Sequence, residues 1–480
     1  MNSSPYSDSP DGLIHSDGWI SALNCAAIAV ACLAIYSGVR HNEFVWDTVP
    51  FVLQNPWVQH PGINDFIAMF TQHYRANWQP LVWLSHSLDF ALFDHHAGMH
   101  HLANVGYHVV DAWLVYWFSL RLLDGRRVVA FLCGLLFAIN PQHVQSVAWL
   151  VERKDTLYVL FTLVCFISYL WVHRESVTGW RKTIPGILLA CALMSKPMAV
   201  TIPVVLLLLD VVPLRRWEGD LRGAFRLIIE KWPYWIMSLG VVLITLYTQQ
   251  MAMDSTQNLP VWVRPLTAIN NSLFYIYCYL VPVNLSPFYP YATHMDEVTR
   301  WSYWLPGVLF LLSISAVSLY FWIRAVRWPL LMWIFYLVTL LPVSGLIAVG
   351  PAKALDYYSY LATLPLGMLI SLGIVQLWRI AGKGRSVVLA VAIFYCLSLS
   401  MLTIGQVRVW QSELSVWRRA YQLYPDSGLI NRNLAAAYYG IGAVNAALYH
   451  AERSARENPA GRAYFEKLKA AVQKRRAAAN

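Results

Sequence analysis

Residues 19–48 read WISALNCAAIAVACLAIYSGVRHNEFVWDT. The run from Trp19 to Val39 holds no charged side chain, and crossing a bilayer takes about 20 apolar residues. Residues 1–18 before it are a polar tail rich in Ser, Pro and Asp, without Lys or Arg. A secretory leader needs a basic start, so the run predicts an uncleaved first membrane helix. The cluster Glu43-Phe44-Val45-Trp46-Asp47 follows at once, which places carboxylates where the chain leaves the lipid.

The composition agrees with that reading. Of 480 residues, 58% are hydrophobic, 14% aromatic and only 13% charged, against about 25% charged in a soluble domain. A soluble enzyme is excluded. Further spans are expected near 102–121, 128–141, 156–172, 184–211, 232–249, 266–283, 303–323, 328–349, 359–378 and 386–405. The chain is therefore read as an all-α polytopic membrane protein of 11–12 transmembrane helices over residues 19–405. The count turns on Met194-Ser195-Lys196-Pro197, where either one long broken helix crosses or two short ones meet at a protected turn. The seven cysteines lie in apolar runs without CxxC spacing and read as small core residues.

The formal charge is +10, but much of the excess sits between spans, where it signals orientation and not nucleic acid. Arg121, Arg126 and Arg127, then His173, Arg174, Arg181 and Lys182, then Arg324 and Arg327, then Arg379, Lys383 and Arg385 form short basic loops. Placing these in the cytoplasm puts the 40–100 loop and residues 142–155 outside. An odd number of spans adds residues 350–358 and the C-terminus to that side. The outer loop carries Trp46, Trp57, Trp78 and Trp83, so it is read as short helices lying on the membrane surface.

Beyond Gln406 the chain turns to soluble helix, and residues 406–480 read as a short tetratricopeptide-like domain. Leu434, Ala435, Tyr438, Ala447, Ala451 and Pro459 fill the interlocking positions of one repeat over 428–461. Trp417 to Pro425 resembles half of a preceding unit, and 462–476 a basic capping helix. About three repeats are needed for a self-sufficient core, so this tail is expected to pack on the membrane domain or on a partner.

Several residues could carry chemistry. Asp47, with Glu43 nearby, is an interfacial carboxylate suited to general-base or metal-ligand work, against the plainer reading of an ordinary helix-end acid. His101, Asn104, His108 and Asp111 share one helix face that must point inward, for substrate or simply for packing; Asp111 fits packing better because it lies deeper. His95, His96 and His100 could hold a metal, since 96 and 100 are one helical turn apart. Glu152-Arg153-Lys154-Asp155 stands at an outer helix mouth, where Arg and Lys could grip a phosphate or merely snorkel. Lys196 at membrane depth requires an anionic partner, an Asp or a lipid phosphate. Phe288 to Tyr291 and Asp356-Tyr357-Tyr358 are aromatic segments that could line a groove or anchor the belt.

These segments, with Asn77-Trp78-Gln79-Pro80-Leu81, the run from Trp83 to Asp89 and Ser195-Lys196-Pro197, occur in an order that resembles the GT-C glycosyltransferases carrying tetratricopeptide repeats. That group includes the eukaryotic transmembrane O-mannosyltransferases and bacterial proteins that look like pilin glycosyltransferases. The resemblance covers residues 19 to about 460. It implies a GT-C-like bundle, a polyprenyl-phosphate-linked sugar donor, an acceptor hydroxyl on a protein, and transfer at the outer face of a bacterial inner membrane. It also makes Asp47 the catalytic acid group of the first outer loop. Arg153, Lys154 and Lys196 then take the donor phosphate, while His86, Asp89 and His101 orient the acceptor or a divalent ion; Asp47 and His101 are the candidate metal ligands. The chain departs from the family pattern at Thr48, where a second acid is usual, and at Gln79, Gln145 and Tyr357, where His, Glu and Arg are usual. Two rivals stand beside this reading: a transporter or lipid flippase, and a non-catalytic scaffold that uses the tail for binding. No second copy of the His101–Asp111 stripe supports the two related halves common in transporters.

Overall fold

The computed structural model describes residues 18–479 apart from 60, 255–259, 292–297, 348, 349 and 458; all but the last residue of the polar N-terminal tail lies outside the described residues. Helix α1 (Gly18–Tyr36) is the first expected span. The 40–100 loop contains α2 (Ile63–Thr71) and α3 (Pro80–Phe93). The bundle continues with α4 (Ala97–Leu122), α5 (Arg127–Ile139), the short α6 (Val144–Ala148) and α7 (Arg153–Arg174). Then come α8 (Ile184–Ser195), α9 (Ile202–Val211), α10 (Leu221–Glu230), α11 (Trp232–Asp254) and α12 (Val263–Leu280). It closes with α13 (Trp301–Ile323), α14 (Trp328–Leu340), α15 (Leu364–Ile380) and α16 (Arg385–Val409).

Every expected span thus contains a helix. By length and hydropathy alone, four described helical segments suffice to cross a membrane, six if two bent pairs each count as one, and three shorter apolar helices accompany them. The difference from eleven or twelve has physical causes. Helix α4 is long enough but carries the polar stripe, and several others are broken or short. The doubtful 184–211 stretch is a hairpin. Lys196, at its tip, pairs with Asp155 at the start of α7, whereas Asp210, at the end of α9, accepts a hydrogen bond of 2.8 Å from Tyr169 near the end of α7. Two short helices therefore meet at Lys196.

Contacts sort the connections into two ends. Trp46, Trp149, Tyr357 and Trp410 meet at one end. At the other, Arg174 donates to Arg121 O at 3.0 Å and Trp217 stacks on Trp322. The first loop and the tail therefore share an end.

The stripe on α4 faces inward: His101, Asn104, His108 and Asp111 have no exposed surface. The Tyr360 hydroxyl lies 2.7 Å from His108 Nδ1 and 2.9 Å from Asp111 Oδ2, so the lower half of the stripe pins α4 to the segment before α15. Among the described residues the sheet is one two-stranded pair, β1 (Tyr289–Pro290) and β2 (Ala352–Ala354), antiparallel with Tyr289 opposite Ala354. It joins the two aromatic segments noted in the sequence.

The tail comprises α17 (Glu413–Leu423), α18 (Gly428–Gly440), α19 (Val444–Glu457) and α20 (Pro459–Ala479). Ala435, Ala447 and Ala451 form its small core with Leu468 and Val472 of α20. Val416, Trp417 and Ala420 of α17 belong instead to the core of the bundle.

In lipid, helices approach closely through small residues. A Cβ on Gly134 would lie 2.9 Å from Ala112 O of α4 and 2.9 Å from Ile28 Cδ1 of α1. Gly134→Val is expected to force these three helices apart and cost about 1–3 kcal/mol, read as a lower melting temperature in detergent; an unchanged melting temperature would refute this account of the packing.

Candidate active site

The site begins with an unusual backbone. After α1 the chain makes a 3-10 turn over Ser37–His41, and Trp46 then adopts φ 52°. A bulky side chain in the left-handed region is strained and persists only where its surroundings over-determine it. Here they do. The Trp46 ring stacks on Trp149 at 4.4 Å with an interplanar angle of 10°, and meets Trp417 edge-on at 4.7 Å. Its N–H donates to Glu413 Oε2 at 2.6 Å, and the Trp417 indole N–H donates to Glu413 Oε1 at 2.6 Å. Trp149 in turn stacks on Trp410 at 5.3 Å. The loop, the bundle and the tail are thereby locked around the residue preceding Asp47.

Asp47 is half-buried, and its carboxylate makes no hydrogen bond among the described residues. Burial is the largest influence on it and raises its pKa to about 6; Lys154 opposes this, Glu152 and Glu413 add to it, and Arg75 opposes. Lys154 Nζ lies 2.9 Å from Glu152 Oε1, and Lys196 is paired with Asp155. The Tyr357 ring lies 4.6 Å from the Lys196 ammonium and 5.6 Å from that of Lys154. Glu152 Oε2 is buried without a hydrogen-bond partner. Asp47, Glu152, Lys154, Asp155 and Lys196 thus form one cluster at the end of the bundle that carries the tail.

Arg153 does not join it, contrary to the expectation that it grips the donor phosphate. Its guanidinium is fully buried. It lies 2.5 Å from Asp89 Oδ2 and donates to Asn104 Oδ1 at 2.6 Å, His100 O at 3.0 Å and Ser85 O at 3.3 Å. It bolts α3 to α4 and α7. Asp89 and Asn104 are consumed in the same bolt, so the expectation that Asp89 orients an acceptor also fails. His86 is buried beside it; burial, with Arg153 adding to it, holds its pKa well below the usual value, so the ring is neutral.

The remaining candidates are dispersed. His101 lies with Nε2 3.2 Å from Glu43 O, while the Glu43 residue itself is exposed and its N–H donates to Gln411 O at 2.9 Å. Asp356 is buried under the β1–β2 pair, accepts from the Tyr289 hydroxyl at 2.9 Å, and is pushed by burial up to about 8. His100 is buried with Nε2 2.7 Å from Asp94 O, whereas His95 and His96 are exposed, so the helical spacing of 96 and 100 assembles no triad. Among the described residues no three His, Cys, Asp or Glu side chains form a metal-holding group. Asp47 and His101 are thus not joined by a third such side chain among the described residues.

Of the positions singled out in the sequence as departures, Gln145 is satisfied and Thr48 is not. Gln145 donates to Pro287 O at 2.9 Å and accepts from the Tyr357 N–H at 3.2 Å. Thr48 is buried with Oγ1 unpartnered. Sequence reasoning missed Glu413 and the Trp149–Trp410 stack, and gave Tyr360, at the end of the Asp356 to Tyr360 segment, no bonding role. Only Glu413 left a local signal: it follows Ser412, which caps α17 by accepting from Ser415 N–H at 3.2 Å.

No protein-family model matches the chain. Among curated proteins, the human protein O-mannosyl-transferase TMTC2 is 29% identical over 197 residues, covering 38% of this chain and 23% of that protein. The Drosophila melanogaster protein O-mannosyl-transferase Tmtc1 is 31% identical over 208 residues, covering 41% of this chain and 23% of that protein. The chain thus matches less than a quarter of these relatives' length. Among solved structures, the apo oligosaccharyltransferase of Archaeoglobus fulgidus aligns over 82% of this chain and 56% of that chain, with 11% identity and a TM-score of 0.45. The sequence resemblance is thus to the tetratricopeptide-containing O-mannosyltransferases, as the ordered motifs imply.

Glu413→Ala removes one acceptor from two donors, and a buried donor left unsatisfied costs about 1–3 kcal/mol. The expected result is faster proteolysis within residues 42–48 and looser docking of the tail. A cleavage pattern identical to wild type would refute the clamp.

Proposed function

We propose that the chain is a GT-C-type glycosyltransferase that moves a sugar from a polyprenyl-phosphate carrier to a hydroxyl on a protein, such as a pilin or another envelope protein. The reading places the Asp47 end of the bundle on the outer face of a bacterial inner membrane, where the basic loops at the opposite end set the orientation. The observation that carries it is Asp47 itself: a half-buried carboxylate with no hydrogen bond of its own, raised to about 6, beside Lys154. A general base works best with a pKa near the working pH, and such a base contributes about 10²–10⁴ in rate.

In this reading Asp47 takes the proton of the acceptor hydroxyl as its oxygen attacks the anomeric carbon. The bond from that carbon to the phosphate oxygen breaks, and the carrier phosphate leaves with the electron pair. In-line attack inverts the anomeric centre. Lys154 and Lys196 receive the negative charge developing on the phosphate, held in place by Glu152, Asp155 and the face of Tyr357. Every step of this reading is carried by these side chains. The sequence likeness to O-mannosyltransferases supports a protein acceptor.

Asp47→Asn is expected to lower sugar transfer from a polyprenyl-phosphate donor by about 10²–10⁴-fold while leaving the melting temperature near wild type. Full activity in this variant would eliminate the base assignment. For the wild type, kcat/KM is expected to rise tenfold per pH unit up to about pH 6 and then level off, because the active form is the deprotonated carboxylate and its pKa is raised to about 6. A profile already flat at pH 5 would contradict it.

A further inference from the structure

At the end of the bundle opposite Asp47, a cavity of about 620 Å³ lies among α4, α5, α9, α14 and α15. That size falls within the roughly 300–1,000 Å³ of small-molecule sites. Its walls are apolar and include Phe335, Met368 and Leu372. The polar lining consists of Asp124, Arg126, Gln376 and Arg379, and these belong to the basic connections at that end.

Two facts select the occupant. First, away from the polar residues at its rim the cavity is walled by apolar side chains, which offer water none of the 2–4 polar partners it needs, so hydrocarbon is the natural content of that part. Second, the lining carries an excess of positive charge. The one acid, Asp124, is engaged by Arg174 at 3.5 Å, while the Arg126 and Arg379 side chains are exposed and have no hydrogen-bond or ion-pair partner among the described residues. Two free guanidinium groups beside an apolar hole match a phosphate attached to a fatty chain.

We propose that this cavity binds one anionic phospholipid, with an acyl chain among Phe335, Met368 and Leu372 and its phosphate between Arg126 and Arg379. Because the cavity and the Asp47 cluster occupy opposite ends, this site is separate from any donor phosphate at Asp47 and does not depend on the proposed transfer reaction. Its chemistry is recognition only; no bond is made or broken.

The full chain would be reconstituted with phosphatidylglycerol or phosphatidylcholine and its retained lipids read by native mass spectrometry. The expected result is one retained phosphatidylglycerol per chain and little phosphatidylcholine. Arg126→Gln with Arg379→Gln should weaken retention about thirty-fold, from the surface attraction of two basic groups. A second variant keeps the outcome separate from folding: a Cβ on Gly373, which lines the cavity, would meet no atom within 4 Å, so the side chain of Gly373→Phe leaves the helix without a clash at its first atom and takes up cavity space. It should expel the lipid at an unchanged melting temperature. Equal retention of both lipids, retention undiminished in the two variants, or occupancy by an isoprenoid chain insensitive to the arginines would each overturn the proposal.

Discussion

The left-handed backbone at Trp46 is the constraint on which the site depends. A residue held there costs about 1–3 kcal/mol. The compensation comes from aromatic contacts worth about 0.5–1.5 kcal/mol each beyond burial and from a hydrogen bond to a charged group worth about 1.5–3 kcal/mol. None of these partners is local. Trp149 lies on the loop before α7, and Glu413 is 367 residues further along the chain than the N–H it accepts. The position of Asp47 is therefore a tertiary property, set when the tail docks on the bundle, and the tail is part of the site's construction.

Helix geometry explains why four consecutive charges divide their labour. At 3.6 residues per turn, neighbours on a helix point about 100° apart. From the start of α7, Arg153 is aimed back into α3 and α4, whereas Lys154 turns toward Glu152 and the Asp47 side, and Asp155 toward Lys196. A buried guanidinium is tolerated only when its donors are paired, and Asp89, Asn104 and two carbonyls do this for Arg153. The lysines are held differently, each by one carboxylate and by the shared ring of Tyr357. Tyr357 is thus a neutral ring that cradles two cations brought from α7 and from the α8–α9 tip.

Much of this was legible in the sequence. The eleven apolar stretches gave the helices, the polar stripe on α4 gave its inward face, and the basic loops gave the two ends. The break at Lys196 was visible as a break, but whether it was one helix or a hairpin was not, because that depends on Asp155 meeting Lys196 and on Tyr169 meeting Asp210. Arg153 was misassigned for the same reason. Adjacent to Lys154 it reads as one basic patch, and only the burial of Asp89 on α3 shows that the two side chains part company. The clamp on Trp46 was illegible altogether, since its partners are isolated Trp and Glu residues with no shared spacing.

The same contacts show what covers the first helix of the tail. The apolar face of α17 would be left uncovered in an isolated tail. Its Val416, Trp417 and Ala420 are instead buried against the bundle, and the far side is closed by Leu468 and Val472 of α20. Trp46 meets Trp417 from the bundle side and is backed by Trp149 and Trp410. A surface that stacks on the first helix of the tail on one side and positions Asp47 on the other links the two directly: any displacement of α17 must move Glu413, and Glu413 holds the backbone from which that carboxylate projects.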